Sequence, residues 1–363
     1  MQGTMARDAG DAEDAGDRRP ERPRTGWKRR ATRLLRVAVL VYFVAAIAGA
    51  VGLPLLGDRW WPATLVLFGP RWLTALPLVV LVPIALVVER RALAPLAVTA
   101  VLVAGPIMGF ELPLGQVFQE ERAGQLRVIT FNARSRHGHL SALRDFIDAN
   151  RPDLVTLQEC GWSDKELGAA FPGWEVRVNQ GQCLLSKFPV QEVAARDRAD
   201  VWKRGGHGAI VRYTIELPSD RGTPTRISVV NLHLETVRDA VEALLHRAWR
   251  GAAEHDENVA LRRWESSLAR EWVDAAPHPV IVAGDFNMPV ESVIYRHSWS
   301  HLENAFSHAG LGIGATKRTR WFGTRIDHVL AGAGWSVERA WLGPDLGSDH
   351  VPLVADLRWI ERQ

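Results

Sequence analysis

Cysteine is scarce: the 363 residues hold only Cys160 and Cys183, and no zinc cluster fits that count. A surplus of charge of one sign is lacking too. Lys and Arg number 44 against 41 Asp and Glu, and the resulting +3 argues neither for nor against nucleic acid as a partner. Much of the basic balance sits in one cluster ahead of the first apolar stretch. No internal repeat is visible, which excludes a repeat array.

What is present is unevenly spread. Residues 1–33 are polar, with "DAGDAEDAGD" followed by "RRPERPRTGWKRR". Such a segment buries too little apolar area to order itself and is expected to be a disordered tail. Residues 34–110 are dominated by Leu, Val, Ala, Ile and Pro, whereas residues 126–360 have the composition of a soluble domain long enough to bury a core. A linker is expected over 111–125.

A bilayer-spanning helix needs about 20 apolar residues. Three stretches come near or reach that length, at about 34–56, 72–88 and 92–110, and prolines in such helices are tolerated. Arg24, Lys28, Arg29, Arg30, Arg33 and Arg36 precede or open the first, and "ERR" at 89–91 separates the second from the third. The positive-inside rule places both on the cytoplasmic side, so the loop from Gly57 to Arg71 and the C-terminal domain lie outside. A cleavable signal ending near "AIA" at 46–48 is the competing reading, and a soluble apolar hairpin is another; the two later apolar segments and the long leading tail speak against them. Two spans instead of three would invert the domain.

In the soluble part, strand patterns and helix patterns mix. "LRVITFN" at 126–132, "DLVTLQE" at 153–159, "CLLSKFPV", "GAIVRYTIEL" and "RISVVNLHL" read as strands, and 140–150 as an amphipathic helix stopped by Pro152. A long charged helix is expected from about Arg238 to Ala275, leading into "PVIVAGDFN"; "RIDHVLAG", "SVERAWL" and "GSDHVPLVADL" follow. Several adjacent strands in a row point to mixed sheets with helices packed outside.

These apolar runs begin or end in polar residues of specific chemistry: Asn132, Glu159, His233, Asp285, Asn287, Asp327, Asp349 and His350. Taken singly, each has a plain explanation, such as a turn for Asn132, a surface acid for Glu159, a core histidine for His233 or an ion pair with Arg325 for Asp327. Together they resist it, because solvated acids need no apolar run before them. Alternation along the strand at 280–289 aims Asp285 and Asn287 the same way.

In chain order, "FN" at 131–132, "LQE" at 157–159, "NLHL" at 231–234, "GDFN" at 284–287, "RID" at 325–327 and "SDH" at 348–350 resemble the endonuclease/exonuclease/phosphatase superfamily. The resemblance covers about residues 126–358. It implies a deoxyribonuclease-I-like four-layer α/β fold, a two-sheet β-sandwich flanked by helices, here preceded by the three apolar helices. It further implies Mg²⁺, with Mn²⁺ as a substitute, held mainly by Glu159 with Asn132 and Asp349. Asp285 would orient or deprotonate the attacking water, Asn287 and His233 would hold phosphate oxygens, and His350 would contact the phosphate, polarised by Asp327. The chemistry asks for the same residue types, since a hard cation takes oxygen ligands and in-line attack at phosphorus needs a base and charge compensation.

No long basic or aromatic insertion for gripping duplex DNA is recognisable. "HLETVRD" at 233–239 is similar to a pattern in membrane-attached bacterial members of the teicoplanin-resistance type, thought to act on undecaprenyl pyrophosphate. Arg238, and Lys203 or Arg204 in "VWKRGGHG", are candidate phosphate contacts. The expected protein is a multi-pass cell-membrane phosphoesterase with an extracytoplasmic catalytic domain and a lipid-linked substrate. An extracytoplasmic nuclease, a sphingomyelinase-like phosphodiesterase and a catalytically dead binding module are the alternatives. Cys160 and Cys183 are either a disulfide bracing Glu159 or two small buried hydrophobes.

Overall fold

The computed structural model describes residues 26–113, 125–134, 140–218 and 225–360. The expected tail up to residue 25 and most of the expected linker, 114–124, lie outside the described residues. Helices α1 (Gly26–Leu56), α2 (Trp61–Phe68), α3 (Leu76–Val88) and α4 (Leu93–Leu102) come first. α1 thus opens eight residues before the expected boundary at 33/34, carrying the basic cluster on its first turns. α3 is preceded by a 3₁₀ turn over Arg71–Ala75, and α4 continues through a π turn to Ile107. Three helical stretches, Gly26–Leu56, Arg71–Val88 and Arg90–Ile107, are long and apolar enough to cross a membrane. Their outward faces carry Leu34, Val41, Val79 and Val87, all exposed.

The rest follows as β1 (Gln125–Asn132), α5 (Leu140–Asn150), β2 (Leu154–Gln158), α6 (Asp164–Ala170), β3 (Glu175–Asn179), β4 (Gln182–Ser186), β5 (Val190–Ala195), α7 (Ala199–Lys203), β6 (Ala209–Leu217) and β7 (Thr225–His233). Then come α8 (Arg238–Arg247), α9 (Ala252–Asp274), β8 (Val280–Asp285), α10 (Val293–Trp299), β9 (Glu303–Asn304), α11 (Ala305–Ala309), β10 (Lys317–Arg318), β11 (Gly323–Thr324), β12 (Asp327–Ala331), β13 (Trp335–Leu342) and β14 (Leu353–Trp359). Two six-stranded sheets result, in the orders β13-β14-β1-β2-β4-β3 and β5-β6-β7-β8-β12-β9. The pairs β1/β2 and β7/β8 are parallel and the other pairs antiparallel.

Alternation explains the layering. Val128, Leu154, Val211, Val229, Ile281 and Leu353 meet between the sheets. Their neighbours Ile129, Val155 and Leu185 turn outward onto α5 and α6, and Val230, Leu232 and Val282 onto α9 and α10. Strands covered on both faces read as unbroken apolar runs, which is how β1, β2, β7 and β8 look in sequence. This is the four-layer, deoxyribonuclease-I-like sandwich that the resemblance implied.

Two local expectations change. The charged helix from 238 to 275 is two helices, broken by a 3₁₀ turn at Ala248–Gly251, with Ala248 at φ 50°. A side chain on Gly251 would stand 2.5 Å from the Ala243 carbonyl oxygen, so the glycine lets the chain fold back there. β3 is an additional edge strand; its half-exposed sequence "EVRVN" lacks a fully apolar run.

Cys160 and Cys183 form a disulfide with Cα atoms 5.9 Å apart. It joins the loop after β2 to β4, whose Cys183 pairs with Leu157 across the ladder. Closing a loop of this length contributes about 3 kcal/mol on the chain-entropy model, and the bond anchors the backbone beside Glu159.

Candidate active site

Six strand ends deliver the polar residues to one end of the sandwich. Asn132 closes β1, Glu159 follows β2, His233 closes β7 and Asp285 closes β8. Asp327 opens β12 directly opposite Asp285 in the ladder. Asp349 and His350 precede β14, and Ser348 Oγ donates to the Asn132 carbonyl at 2.9 Å, tying that loop to β1. Between the sheets, Gln158 Nε2 donates to Asn231 Oδ1 at 2.7 Å, and Asn231 Nδ2 donates to the carbonyls of Leu157 and Cys183. This buried amide pair fixes the spacing of the two halves just beneath the site.

Asn287 arrives differently from the expectation. β8 ends at Asp285, and Asn287 sits in the left-handed region at φ 52°. The pleat therefore does not aim it. Instead the Asn287 N–H donates to Asp285 Oδ1 at 2.8 Å and its Nδ2 donates to the Leu234 carbonyl at 2.8 Å. Glu159 (φ 45°) and Arg134 (φ 51°) are left-handed as well. Three non-glycine residues in this sparsely populated region around one cluster is the pattern of strain held at functional sites. Gly284 is required for another reason: a side chain there would lie 2.0 Å from the Leu232 carbonyl of β7.

Asn132 Nδ2 donates to Glu159 Oε1 and to Asp285 Oδ2, each at 3.0 Å. Its Oδ1 accepts the Arg134 N–H, which fixes the amide with nitrogen toward the carboxylates. His233 Nε2 lies 3.9 Å from Glu159 Oε1 and 3.7 Å from Asp285 Oδ2. His350 Nδ1 is 2.8 Å from Asp327 Oδ2, and its Nε2 is 3.7 Å from Asp285 Oδ2. Burial, with the Asp327 charge beside it, pushes the Asp285 carboxyl above the usual range despite His350, His233 and Asn132. Burial acts the same way on Asp327, but the charge and hydrogen bond of His350 outweigh it and hold that carboxyl low. His350 is opposed by burial yet raised by Asp327 and Asp285. Two neighbouring carboxyls are thus pushed apart, one toward holding a proton and one toward remaining charged.

Two residues that the sequence reading passed over, Lys317 and Arg134, join the site. Lys317 Nζ donates to Asp349 Oδ2 at 2.8 Å and stands 3.1 Å from His350 Nε2. Arg134 Nη1 lies 3.1 Å from the same Asp349 oxygen. The chain itself thus supplies positive charge beside Asp349, and despite burial its carboxyl stays low. Lys317 lies in the turn sequence "TKRTRW", which has no apolar run to flag it. Arg204 and Arg238 are not brought in: among the described residues neither shares a hydrogen bond or ion pair with the cluster. Arg204 stacks on the Trp264 ring at 4.4 Å, and the Arg238 side chain is exposed at the start of α8.

Among the described residues one group of acids and histidine has the spacing for a cation. Asp285, Asp327 and His350 bring one ligand atom each within 4.8 Å of one another. Asp327 and His350, however, already satisfy each other. Glu159, with its side chain 39% exposed, adds a carboxylate at the solvent side of the cluster. Asp327 Oδ1 is buried without a hydrogen-bond partner. Carboxylate oxygens in excess, one of them orphaned, fit a hard divalent ion.

A second buried acid pair lies two residues beyond His233. Glu265 accepts the Glu235 N–H at 2.9 Å, and Glu235 accepts the His207 N–H at 2.7 Å. Side chains on Gly206 or Gly208 would lie 2.2 and 2.4 Å from the Glu265 oxygens, so the "GGHG" loop passes over this carboxyl because it is glycine there. Burial, reinforced by the Glu235 charge, pushes Glu265 up to about 7 from 4.5. The native state then keeps a proton that the unfolded chain releases, so stability falls as pH rises from about 4.5 to about 7. The loss across that window is on the order of 3 kcal/mol. Urea titrations at pH 4.5, 6 and 8 are expected to show this slope in the wild type and a clearly shallower one in Glu265→Gln; equal slopes would contradict it.

The profile of the Endonuclease/Exonuclease/phosphatase family matches residues 129–350, more than half of the chain, and the protein belongs to that family. Enzymes of this family are divalent-metal-dependent hydrolases of phosphoester bonds. Similar solved structures include an endonuclease/exonuclease/phosphatase from Beutenbergia cavernae (18% identity, 65% of this chain and 72% of that one, TM-score 0.49). A mannosyl-6-phosphatase from Bacteroides thetaiotaomicron is 17% identical over 64% of this chain and all of that one, with TM-score 0.47. D. rerio TDP2 complexed with a single-strand DNA product is 14% identical over 64% and 99%, with TM-score 0.48. No curated protein matches the chain.

Proposed function

We propose that the protein is a multi-pass membrane phosphoesterase whose catalytic domain, residues 126–360, works outside the cytoplasm on a lipid-linked phosphate or pyrophosphate. The observation that carries this is the convergence of Asn132, Glu159, His233, Asp285, Asp327 and His350 at one end of a sandwich that is joined to one end of the apolar helices through Asp58, Thr64, Arg71 and Glu111. Glu159 would hold a divalent ion, Mg²⁺ or Mn²⁺, with Asp349 as a further ligand and Asn132 as another once its amide turns to present Oδ1 in place of the Nδ2 now facing Glu159. That ion supplies charge compensation on the phosphate oxygens when bound. Asp285 takes the proton of the attacking water, as its raised carboxyl pKa and its place between Asn132 and His233 suit. Asn287 and His233 orient non-bridging oxygens in line with that water. His350, its Nδ1 proton pointed at Asp327, and Lys317 present positive charge toward the leaving side.

The placement rests on which loops touch the sandwich. Thr64 Oγ1 meets His255 Nε2 at 2.8 Å, Arg71 pairs with Glu291 at 3.0 Å, and Glu111 pairs with Arg325 at 2.8 Å. At the other end of the bundle, Arg36 Nε donates to Glu89 at 2.8 Å. The loops after the first and third helical stretches thus share a side with the catalytic domain, as an odd number of spans requires. The basic cluster and "ERR" share the opposite side, as the positive-inside rule requires of a cytoplasmic face. Exposed Trp60 and Trp72 suit the interface at the domain's side, and the disulfide suits an oxidising compartment. A lipid-linked substrate of the teicoplanin-resistance type suits a domain tied by these contacts to helices apolar enough to cross a membrane.

The lipid substrate depends on this placement. A reporter active only outside the cytoplasm, fused after Gln363, is expected to work, and the same reporter inserted at residues 89–91 to be silent. The reverse pattern would overturn the proposed topology and, with it, the lipid substrate.

A further inference from the structure

We infer that Asp58, in the turn between α1 and α2, is a positioning residue for the candidate active site, acting through Arg262 on the backbone of Asn287. This rests on the reaction proposed above, since it assigns Asn287 a phosphate-holding part.

The core-facing stripe of α9 carries His255, Val259, Arg262, Glu265, Ser266, Ala269 and Val273. A guanidinium in that stripe is costly to bury alone. Arg262 is wholly buried, and its Nη1 lies 3.1 Å from Asp58 Oδ1; Asp58 is wholly buried too. The other oxygen of Asp58 accepts the Ser292 hydroxyl, and the Ile294 N–H at 3.3 Å. Phe68, the last residue of α2, lies under the guanidinium at 5.1 Å. The N-terminal helical region therefore supplies both the counter-charge and the aromatic seat for an arginine of the catalytic domain.

The second arm of the guanidinium reaches the site. Arg262 Nη2 donates to the Asn287 carbonyl at 3.2 Å. The left-handed Asn287 is thereby pinned on both sides, its N–H by Asp285 and its C=O by Arg262. Asp58 fixes the direction of the fork, and the fork fixes the loop. An apolar pair of similar volume would dock the helices as well or better, but it could not point a donor at that carbonyl. The planar fork with two divergent donors is what an arginine offers here and a lysine does not.

The test uses the full chain in detergent. Arg262→Lys keeps the charge opposite Asp58 but cannot span both partners. Asp58→Leu combined with Arg262→Met removes both charges while filling the space, which guards against a variant that simply unfolds. Both are expected to melt cooperatively and to show faster amide exchange over residues 284–290, with exchange in β5 and β6 unchanged. Both are expected to lose roughly 10- to 100-fold in kcat with KM within a fewfold, since a displacement near 1 Å at a reacting centre has that effect. Wild-type exchange over 284–290 overturns the inference whatever the rates. Faster exchange with a wild-type kcat overturns it too, because the link would then be structural only. Should the wild type hydrolyse no phosphate substrate, the proposed reaction fails, and the exchange comparison alone decides whether Asp58 holds the loop.

Discussion

Replacing Asp285 by asparagine is expected to leave the fold standing and to lower turnover by roughly 10² to 10⁴, the usual cost of losing a general base. Asp285 is 1% exposed, and both its oxygens are engaged, Oδ1 by the Asn287 N–H and Oδ2 by Asn132 Nδ2. An amide at 285 keeps one acceptor for Asn287 and turns its own Nδ2 toward that of Asn132. The local hydrogen bonding is disturbed at one contact, while a buried charge facing Asp327 across the ladder is removed. These effects on stability oppose each other, so the thermal midpoint is expected to move by only a few degrees. The proton acceptor, in contrast, is gone. Turnover measured beside the circular-dichroism melt separates the two. Turnover at the wild-type level would take Asp285 out of the mechanism.

Glu159→Gln is expected to fail in a different way. Glu159 stands at the solvent side of the cluster in a left-handed backbone conformation, braced by the adjoining disulfide. Its carboxylate is the most exposed acid of the cluster that the proposed cation would meet. A glutamine keeps the shape and loses the charge. The Mg²⁺ concentration giving half-maximal activity is expected to rise roughly tenfold or more, with part of the activity recovered at excess Mg²⁺. Asp285→Asn should show no such recovery. A Glu159→Gln activation curve that overlays the wild type would move the cation to the Asp285–Asp327–His350 group.

Much of this was legible in the sequence because the sandwich buries its central strands on both faces. Unbroken apolar runs ending in Asn132, Glu159, His233 and Asp285 therefore announce both the strands and the residues at their tips. What was not legible depends on turns and on distant partners. Asn287 reaches the site by a left-handed turn rather than by the pleat. Lys317 sits on a two-residue strand in a polar loop, where no period marks it. The break between α8 and α9 depends on a close approach at Gly251 that spacing does not reveal. Asp58 lay in what read as a plain external loop, and its partner Arg262 is 204 positions away. Buried ion pairs of that separation leave no local signal, because each half looks like an ordinary polar residue of its own segment.

The most direct measurement offers the full chain, in detergent, undecaprenyl pyrophosphate, sphingomyelin and plasmid DNA in parallel, first with Mg²⁺, then with chelator, then with Mg²⁺ restored. Phosphate release from the pyrophosphate lipid is expected with Mg²⁺, abolished by the chelator and recovered on restoration, with little or no cleavage of DNA. Hydrolysis that persists in the chelator would contradict a metal-dependent phosphoesterase, and DNA cleavage in place of lipid hydrolysis would contradict the substrate.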